Sequence, residues 1–108
     1  MAHFEAKTSA EADRVVVALA GECDLAARDE LTTTLLSALE RARVVVVDVD
    51  ALEFLDSSGL HGLITAHQAA QQVGRRLYVV NPRGMVANVL ELTGVGDLLS
   101  PPADDVHA

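Results

Sequence analysis

The sequence predicts a single α/β domain, in which a mixed sheet of four to five strands packs with about three to four helices. β-branched runs typical of strands alternate with segments whose apolar residues recur at helical spacing. The four consecutive valines at residues 44–47 favour a strand buried on both faces, as in a parallel sheet. The chain has 108 residues and no repeat or linker, which suits one hydrophobic core. We therefore predict one domain over residues 1–108, with a flexible tail over about 101–108.

The first half of the chain predicts a strand, a helix and a second strand. The first strand covers residues 14–20 and ends at Gly21. Asp24 is the predicted N-cap of a helix that extends to about Arg41. Five leucines form the apolar face of this helix: Leu25, Leu31, Leu35, Leu36 and Leu39. The second strand covers residues 43–49 and leads into a short acidic loop.

The second half predicts a helix over residues 57–73 and a strand over residues 77–80. Asn81 and Pro82 predict the N-cap and first residue of a shorter helix that continues to Gly94. The longer helix has an apolar side (Leu60, Leu63, Ile64 and His67) and a stripe of small residues beside it (Gly59, Gly62, Ala66, Ala69 and Val73). The shorter helix carries Met85, Val86, Val89, Leu90 and Leu92, and a last apolar piece covers residues 95–99.

The charge of the chain narrows its classes of partner. Sixteen Asp and Glu residues stand against eight Lys and Arg, for a formal net charge of -8. Binding to nucleic acid or to an anionic membrane is therefore not expected, and a basic protein partner fits better. No apolar run approaches the ~20 residues of a membrane span, and residues 1–13 do not resemble a signal peptide. The single cysteine, Cys23, suits a reducing compartment, so we expect a soluble cytoplasmic protein.

Catalysis and metal binding are both disfavoured. A serine hydrolase would place its nucleophile in a G-x-S-x-G turn, whereas Ser57 lies in the sequence LDSSG. His61 follows four residues later on the same helix face, but no acid is assigned to orient it. The four histidines have no ligand spacing, and His67 is predicted to be half-buried in the core. There is no glycine-rich phosphate loop, so we predict no enzyme activity, cofactor or metal.

The strongest functional signal follows the valine-rich strand. Asp56 directly precedes Ser57 and Ser58, two hydroxyls at the predicted start of a helix. A serine there can cap free backbone N–H groups, and a helix start also favours added negative charge. Asp48 and Asp50 are expected to be solvated, whereas Asp56 is expected to form an acidic docking rim around Ser57. A phosphoaspartate receiver is excluded, because no acidic pair follows the first predicted strand.

Three motifs resemble those of the STAS-domain anti-sigma factor antagonists, over nearly the whole chain. Residues 21–24 (GECD) resemble the family's G-E-[LI]-D turn, and residues 54–60 (FLDSSGL) its F-[ML]-D-S-[ST]-G-L signature. Residues 92–95 (LTGV) resemble a later [ML]-[ST]-G-[LV] piece. Two residues depart from the pattern: Cys23 replaces a leucine or isoleucine, and His61 stands where many members have glycine and is expected to present a bulkier surface.

The resemblance implies a regulatory mechanism. Ser57 would be the phosphoacceptor, and the partner would be an anti-sigma factor that is also a serine kinase. The unmodified antagonist would bind this kinase and release a sigma factor, phosphorylation would prevent binding, and a serine phosphatase would reset the cycle. The alternatives are an accessory subunit of a membrane transporter and, less favoured, an enzyme or nucleotide-binding domain.

The order of the strands predicts where the partner binds. Because neighbouring parallel strands end at the same edge of a sheet, the turn after residue 20 and the loop after residue 49 are expected to lie side by side. The predicted partner-binding residues are Glu22, Asp24, Asp56, Ser57, Ser58, Gly59, Leu60 and His61.

Overall fold

The computed structural model describes residues 3–102, so residues 103–108 of the predicted tail lie outside the described residues. The elements in chain order are β1 (Phe4–Glu11), β2 (Arg14–Cys23), α1 (Leu25–Arg41), β3 (Val44–Leu55), α2 (Ser57–Gln72), β4 (Arg76–Val80), α3 (Gly84–Thr93) and α4 (Val95–Leu99). The sheet has the strand order β1-β2-β3-β4. β1 is antiparallel to β2, whereas β2, β3 and β4 are parallel. The predicted α/β class with a mixed sheet is confirmed, with four strands and four helices over residues 3–102.

Strand β1 was not predicted from the sequence. It is an edge strand, and only Phe4 and Ala6 are partly buried against the core. Its other residues are exposed and polar or small, so the alternation that marks a half-buried strand covers only residues 4–7 and is too short to predict a strand. The turn to β2 also lacks the Asn-Gly sequence typical of a tight hairpin. Its left-handed position, with φ of 39°, is occupied by Ala12. Main-chain pairing with the apolar strand β2 therefore orders this segment.

Strand β3 is longer than predicted, because the expected acidic loop continues the strand to Leu55. Its second half pairs with the end of β2, with Leu52 beside Gly21 and Leu55 beside Cys23. Leu52 and Leu55 are buried, whereas Asp50 and Glu53 are exposed. The register shifts between Gly21 and Glu22, which breaks the two-residue alternation and conceals the strand in the sequence.

The core lies between the sheet and the helices and consists of Val, Leu and Ala, with the buried Cys23. Val45, Val46 and Val47 are buried, as the valine run predicted, whereas Val44 is half-buried. In α1 the buried positions are Ala27, Leu31, Leu35, Ala38 and Leu39. The prediction was wrong for Leu25 and Leu36, which are 63% and 38% exposed. The inward face of α1 therefore combines three of the five predicted leucines with two alanines that the leucine pattern did not include.

Two boundaries in the second half differ from the prediction. The longer helix ends at Gln72, which leaves Val73 exposed, and the buried alanine of its last turns is Ala70 instead of the predicted Ala69, which is half-buried. Helix α3 begins at Gly84, because Asn81 adopts a left-handed conformation and donates a side-chain hydrogen bond to Asp48 Oδ1 at 3.1 Å. Within residues 3–102, no helix is long and apolar enough to span a membrane, and no group of side chains could hold a metal ion.

Candidate functional site

The Asp56 side chain begins helix α2. Its backbone is extended, and Oδ1 accepts hydrogen bonds from the N–H groups of Ser58 at 2.9 Å and Gly59 at 3.0 Å. Asp56 is therefore the N-cap and Ser57 is the first helical residue. The expectation that a serine hydroxyl would cap the helix was wrong, because the carboxylate can accept from two amides at once.

The two serines differ in accessibility. Ser57 is exposed, whereas Ser58 is half-buried and its amide is bound by Asp56. Within residues 3–102 the Ser57 hydroxyl has no hydrogen-bond partner. It lies at the positive end of the α2 dipole, where added negative charge is stabilised. An exposed hydroxyl in this position is suited to receive a group from another protein.

The ends of β2 and β3 bring the two predicted segments together. Glu22 pairs with Phe54 in the register, and the Asp56 N–H donates to the Cys23 carbonyl at 3.2 Å. Asp24 caps α1 by accepting from the Ala27 N–H at 3.2 Å. Helices α1 and α2 therefore begin side by side, and an aspartate caps each of them.

The predicted partner-binding residues occupy two levels. Glu22, Ser57 and His61 are exposed, and Asp24, Asp56 and Ser58 are half-buried. Gly59 and Leu60 are buried, so they support this surface from beneath. We define the rim as the exposed and half-buried set: Glu22, Asp24, Asp56, Ser57, Ser58 and His61.

Gly59 allows the start of α2 to lie against the end of β2. A Cβ atom added at Gly59 would be 2.7 Å from Leu55 Cδ1 and 2.8 Å from both the carbonyl oxygen and Sγ of Cys23. Gly62, one turn further, is less tight, since its Cβ would be 3.2 Å from Leu31 Cδ2 and from Thr32 Oγ1. The close approach predicted from the stripe of small residues is therefore confirmed at Gly59 and Gly62, whereas Val73, the last predicted member, is exposed.

Cys23 lies beside the two capping aspartates, and its thiol is not in the reactive thiolate form. Burial, together with the nearby charges of Asp56 and Asp24, raises the pKa of its thiol to about 12. The thiol is therefore protonated at neutral pH and packs as a small apolar group, in place of the leucine or isoleucine of the family pattern.

The exposure of two apolar side chains at this edge of the sheet was not predicted from the sequence. Leu25, placed in the core by the leucine pattern, is 63% exposed at the start of α1. Phe54 is 37% exposed and pairs with Glu22. The sequence signal for Phe54 was its place in the FLDSSGL motif, and nothing marked Leu25 as exposed. Exposed apolar groups among acidic ones are typical of a protein-binding surface.

Comparisons with known proteins agree on the fold. The model of the STAS domain matches residues 3–108. An anti-sigma factor antagonist from Mycobacterium paratuberculosis is 23% identical, with a TM-score of 0.81 over 95% of this chain and 90% of that one. The unphosphorylated anti-sigma factor antagonist SpoIIAA is 21% identical, with a TM-score of 0.77 over 94% and 92% of the two chains. The phosphorylated Bacillus cell fate determinant SpoIIAA is 20% identical, with a TM-score of 0.68 over 96% of each chain. No curated protein sequence matches significantly.

Proposed function

The chain belongs to the STAS domain family, and on that premise we propose that it is an anti-sigma factor antagonist. In its unmodified form it binds an anti-sigma factor that is also a serine kinase, and a sigma factor is thereby released. The observation that carries this proposal is the exposed, unpaired hydroxyl of Ser57 at the capped start of α2. The structures of two proteins described as anti-sigma factor antagonists share the fold, which supports the role.

Phosphorylation of Ser57 ends binding in this proposal. The kinase transfers the terminal phosphoryl group of ATP to Ser57 Oγ, ADP leaves, and the hydroxyl proton is lost. The product carries about -1.5 to -2 charges at neutral pH. The fold accommodates this charge, because the helix dipole stabilises an anion there by roughly 0.3–1 kcal/mol. Within a packed interface the same group must lose its water, which costs several kcal/mol unless it is paired.

The chemistry of the rim favours a basic partner surface. Glu22, Asp24 and Asp56 are acidic and lie around Ser57, in a chain whose formal net charge is -8. Leu25 and Phe54 add the apolar area that an interface core needs. We propose that the protein acts by binding in the cytoplasm, without catalysis or cofactor of its own, and that a serine phosphatase restores the unmodified form.

Affinity capture from the source cell tests this proposal. The unmodified protein is expected to retain a serine kinase of the anti-sigma type, identified by mass spectrometry, and the Ser57→Asp variant is expected to lose it. Phosphopeptide mapping after incubation with that kinase and ATP should then place the phosphate on Ser57. Capture of a transporter component by both forms would support the accessory-subunit alternative, and phosphate on Ser58 of the parent protein would overturn the site.

A further inference from the structure

A polar groove lies between α1 and α2, on the side of the helix that also carries Ser57. Its volume is about 510 Å3, and six polar side chains line it: Arg28, Asp29, Thr32, Thr33, His61 and Thr65. His61 is four residues after Ser57 in α2, so the two side chains share one face of the helix. The groove therefore begins one turn beyond the proposed phosphorylation site.

A side chain in an α-helix leans toward the preceding turn, and for His61 that turn carries Ser57. In an α-helix the Cα–Cβ bonds point toward the N-terminus, so a long side chain covers the turn that precedes it. Residues four apart have Cβ atoms about 5–6 Å apart. Both side chains are exposed, and neither has a hydrogen-bond partner within residues 3–102. The imidazole is thus free to move over the Ser57 hydroxyl.

We propose that His61 binds the phosphate group of phosphorylated Ser57, with Arg28 as the nearest second cation in the same groove. This inference rests on the proposed phosphorylation of Ser57. The phosphate reaches further from the backbone than the hydroxyl does, and it offers three acceptor oxygens to an imidazolium N–H. The Arg28 stem lies along the second turn of α2, since its Cγ would be 3.5 Å from a Cβ at Gly62.

The carboxylates near Ser57 repel a phosphate there, so a cation beside the phosphate would be stabilising. Asp56 precedes Ser57 and Asp24 lies at the adjacent cap, so a phosphate there faces two carboxylates. Asp29 also lines the groove, and its carboxylate is 3.6 Å from the Arg28 guanidinium Nε. Arg28 is therefore partly offset by Asp29, whereas His61 has no acidic partner within residues 3–102.

The pairing depends on pH. An imidazolium beside a phosphoserine favours the doubly charged form of the phosphate, and the phosphate in turn favours the charged imidazole. The phosphate should consequently lose its last proton at a lower pH than it would beside a neutral side chain.

Phosphorus NMR of protein with phosphoserine incorporated at position 57 during translation tests this pairing. The midpoint of the phosphate titration is expected to lie about 0.3–0.5 pH unit lower in the parent protein than in His61→Gln, a two- to threefold change in the ionisation constant. A double variant, His61→Gln with Gln71→His, restores the histidine at an exposed position further along α2 and should titrate like His61→Gln. Arg28→Gln should give a smaller shift in the same direction.

Coincident midpoints for the parent and His61→Gln would overturn the inference, as would recovery of the parent midpoint in the double variant. Thermal unfolding of each protein verifies that the variants remain folded. The phosphate is installed without a kinase, so this result is independent of the proposed function. If no kinase modifies Ser57, the proposed function fails while the NMR comparison still decides the pairing.

Discussion

The backbone N–H of Asp56 donates to the carbonyl of Cys23 across 3.2 Å, and this bond joins the last residue of β2 to the cap of α2. The Asp56 carboxylate then holds the amides of Ser58 and Gly59. The hydrogen bonds of Asp56, Ser58 and Gly59 therefore fix the backbone on both sides of Ser57. The Ser57 side chain takes no part in them. Substitutions around Ser57 should consequently separate folding from binding.

Removal of the Asp56 cap should destabilise the protein without unfolding it. Asp56→Ala leaves two amides at the start of α2 without their acceptor, at a cost of about 0.5–2 kcal/mol in the free energy of unfolding. Asp56→Asn retains an acceptor oxygen and should lose less. Urea denaturation of the two variants measures the difference, and equal losses would mean that the charge of Asp56, not its hydrogen bonds, is what matters.

Substitutions at Ser57 should change binding far more than folding. Ser57 is not the cap, so Ser57→Ala should leave the free energy of unfolding within about 0.5 kcal/mol of the parent and should bind the kinase constitutively. Ser57→Asp places a carboxylate at the favourable end of the helix dipole and should fold as well, but bind poorly. Calorimetric titration against the captured kinase compares them, with melting curves as the folding control. Equal affinities would place Ser57 outside the interface.

The lack of space around Gly59 should make this glycine hard to replace. The Cβ of Gly59→Ala meets Leu55 and the Cys23 backbone at 2.7–2.8 Å, so the helix start must shift. We expect a loss of about 1–3 kcal/mol in the free energy of unfolding, typical of overpacking. Gly62→Ala is the matched control, because its contacts of 3.2 Å are with side-chain atoms. A smaller loss for Gly59→Ala than for Gly62→Ala in denaturant titration would contradict this packing argument.

Leu25 and Phe54 should act as apolar anchors of the partner. Truncation of either to alanine is expected to weaken kinase binding by more than about 1 kcal/mol, roughly fivefold, since a few side chains that become fully buried carry most of the energy of an interface. Val73→Ala is the control: Val73 is 64% exposed, close to the 63% of Leu25, but lies past the far end of α2. Equal effects of Leu25→Ala and Val73→Ala on affinity, measured by calorimetry, would remove the anchor role.

The sequence was informative where one segment carries its own signals. The start of α2 could be predicted because a cap, two hydroxyls and a change from strand to helix periodicity occur within a few residues. Strand β1 could not, since its order depends on pairing with β2. The exposure of Leu25 was also hidden, because residue type alone does not say whether Leu25 or Ala27 points inward. The inward phase of α1 is set by contact with the sheet and with α2.

The buried thiol of Cys23 should make stability depend on alkaline pH. Burial raises its pKa from 9.0 to about 12, so above pH 9 the unfolded chain releases this proton while the folded chain retains it. The contribution of Cys23 to stability is therefore fully present below pH 9 and is lost as the pH rises toward 12, with a slope approaching about 1.4 kcal/mol per pH unit. Cys23→Ala lacks the ionising group, so urea denaturation between pH 8 and 10.5 should show a steeper decline in the free energy of unfolding for the parent.

In the native protein at neutral pH the Cys23 thiol should also resist alkylation by iodoacetamide, and it should react once urea unfolds the chain. Parallel pH profiles for the two proteins, or rapid alkylation of the folded parent, would show that the thiol at the junction of the two caps is accessible to water.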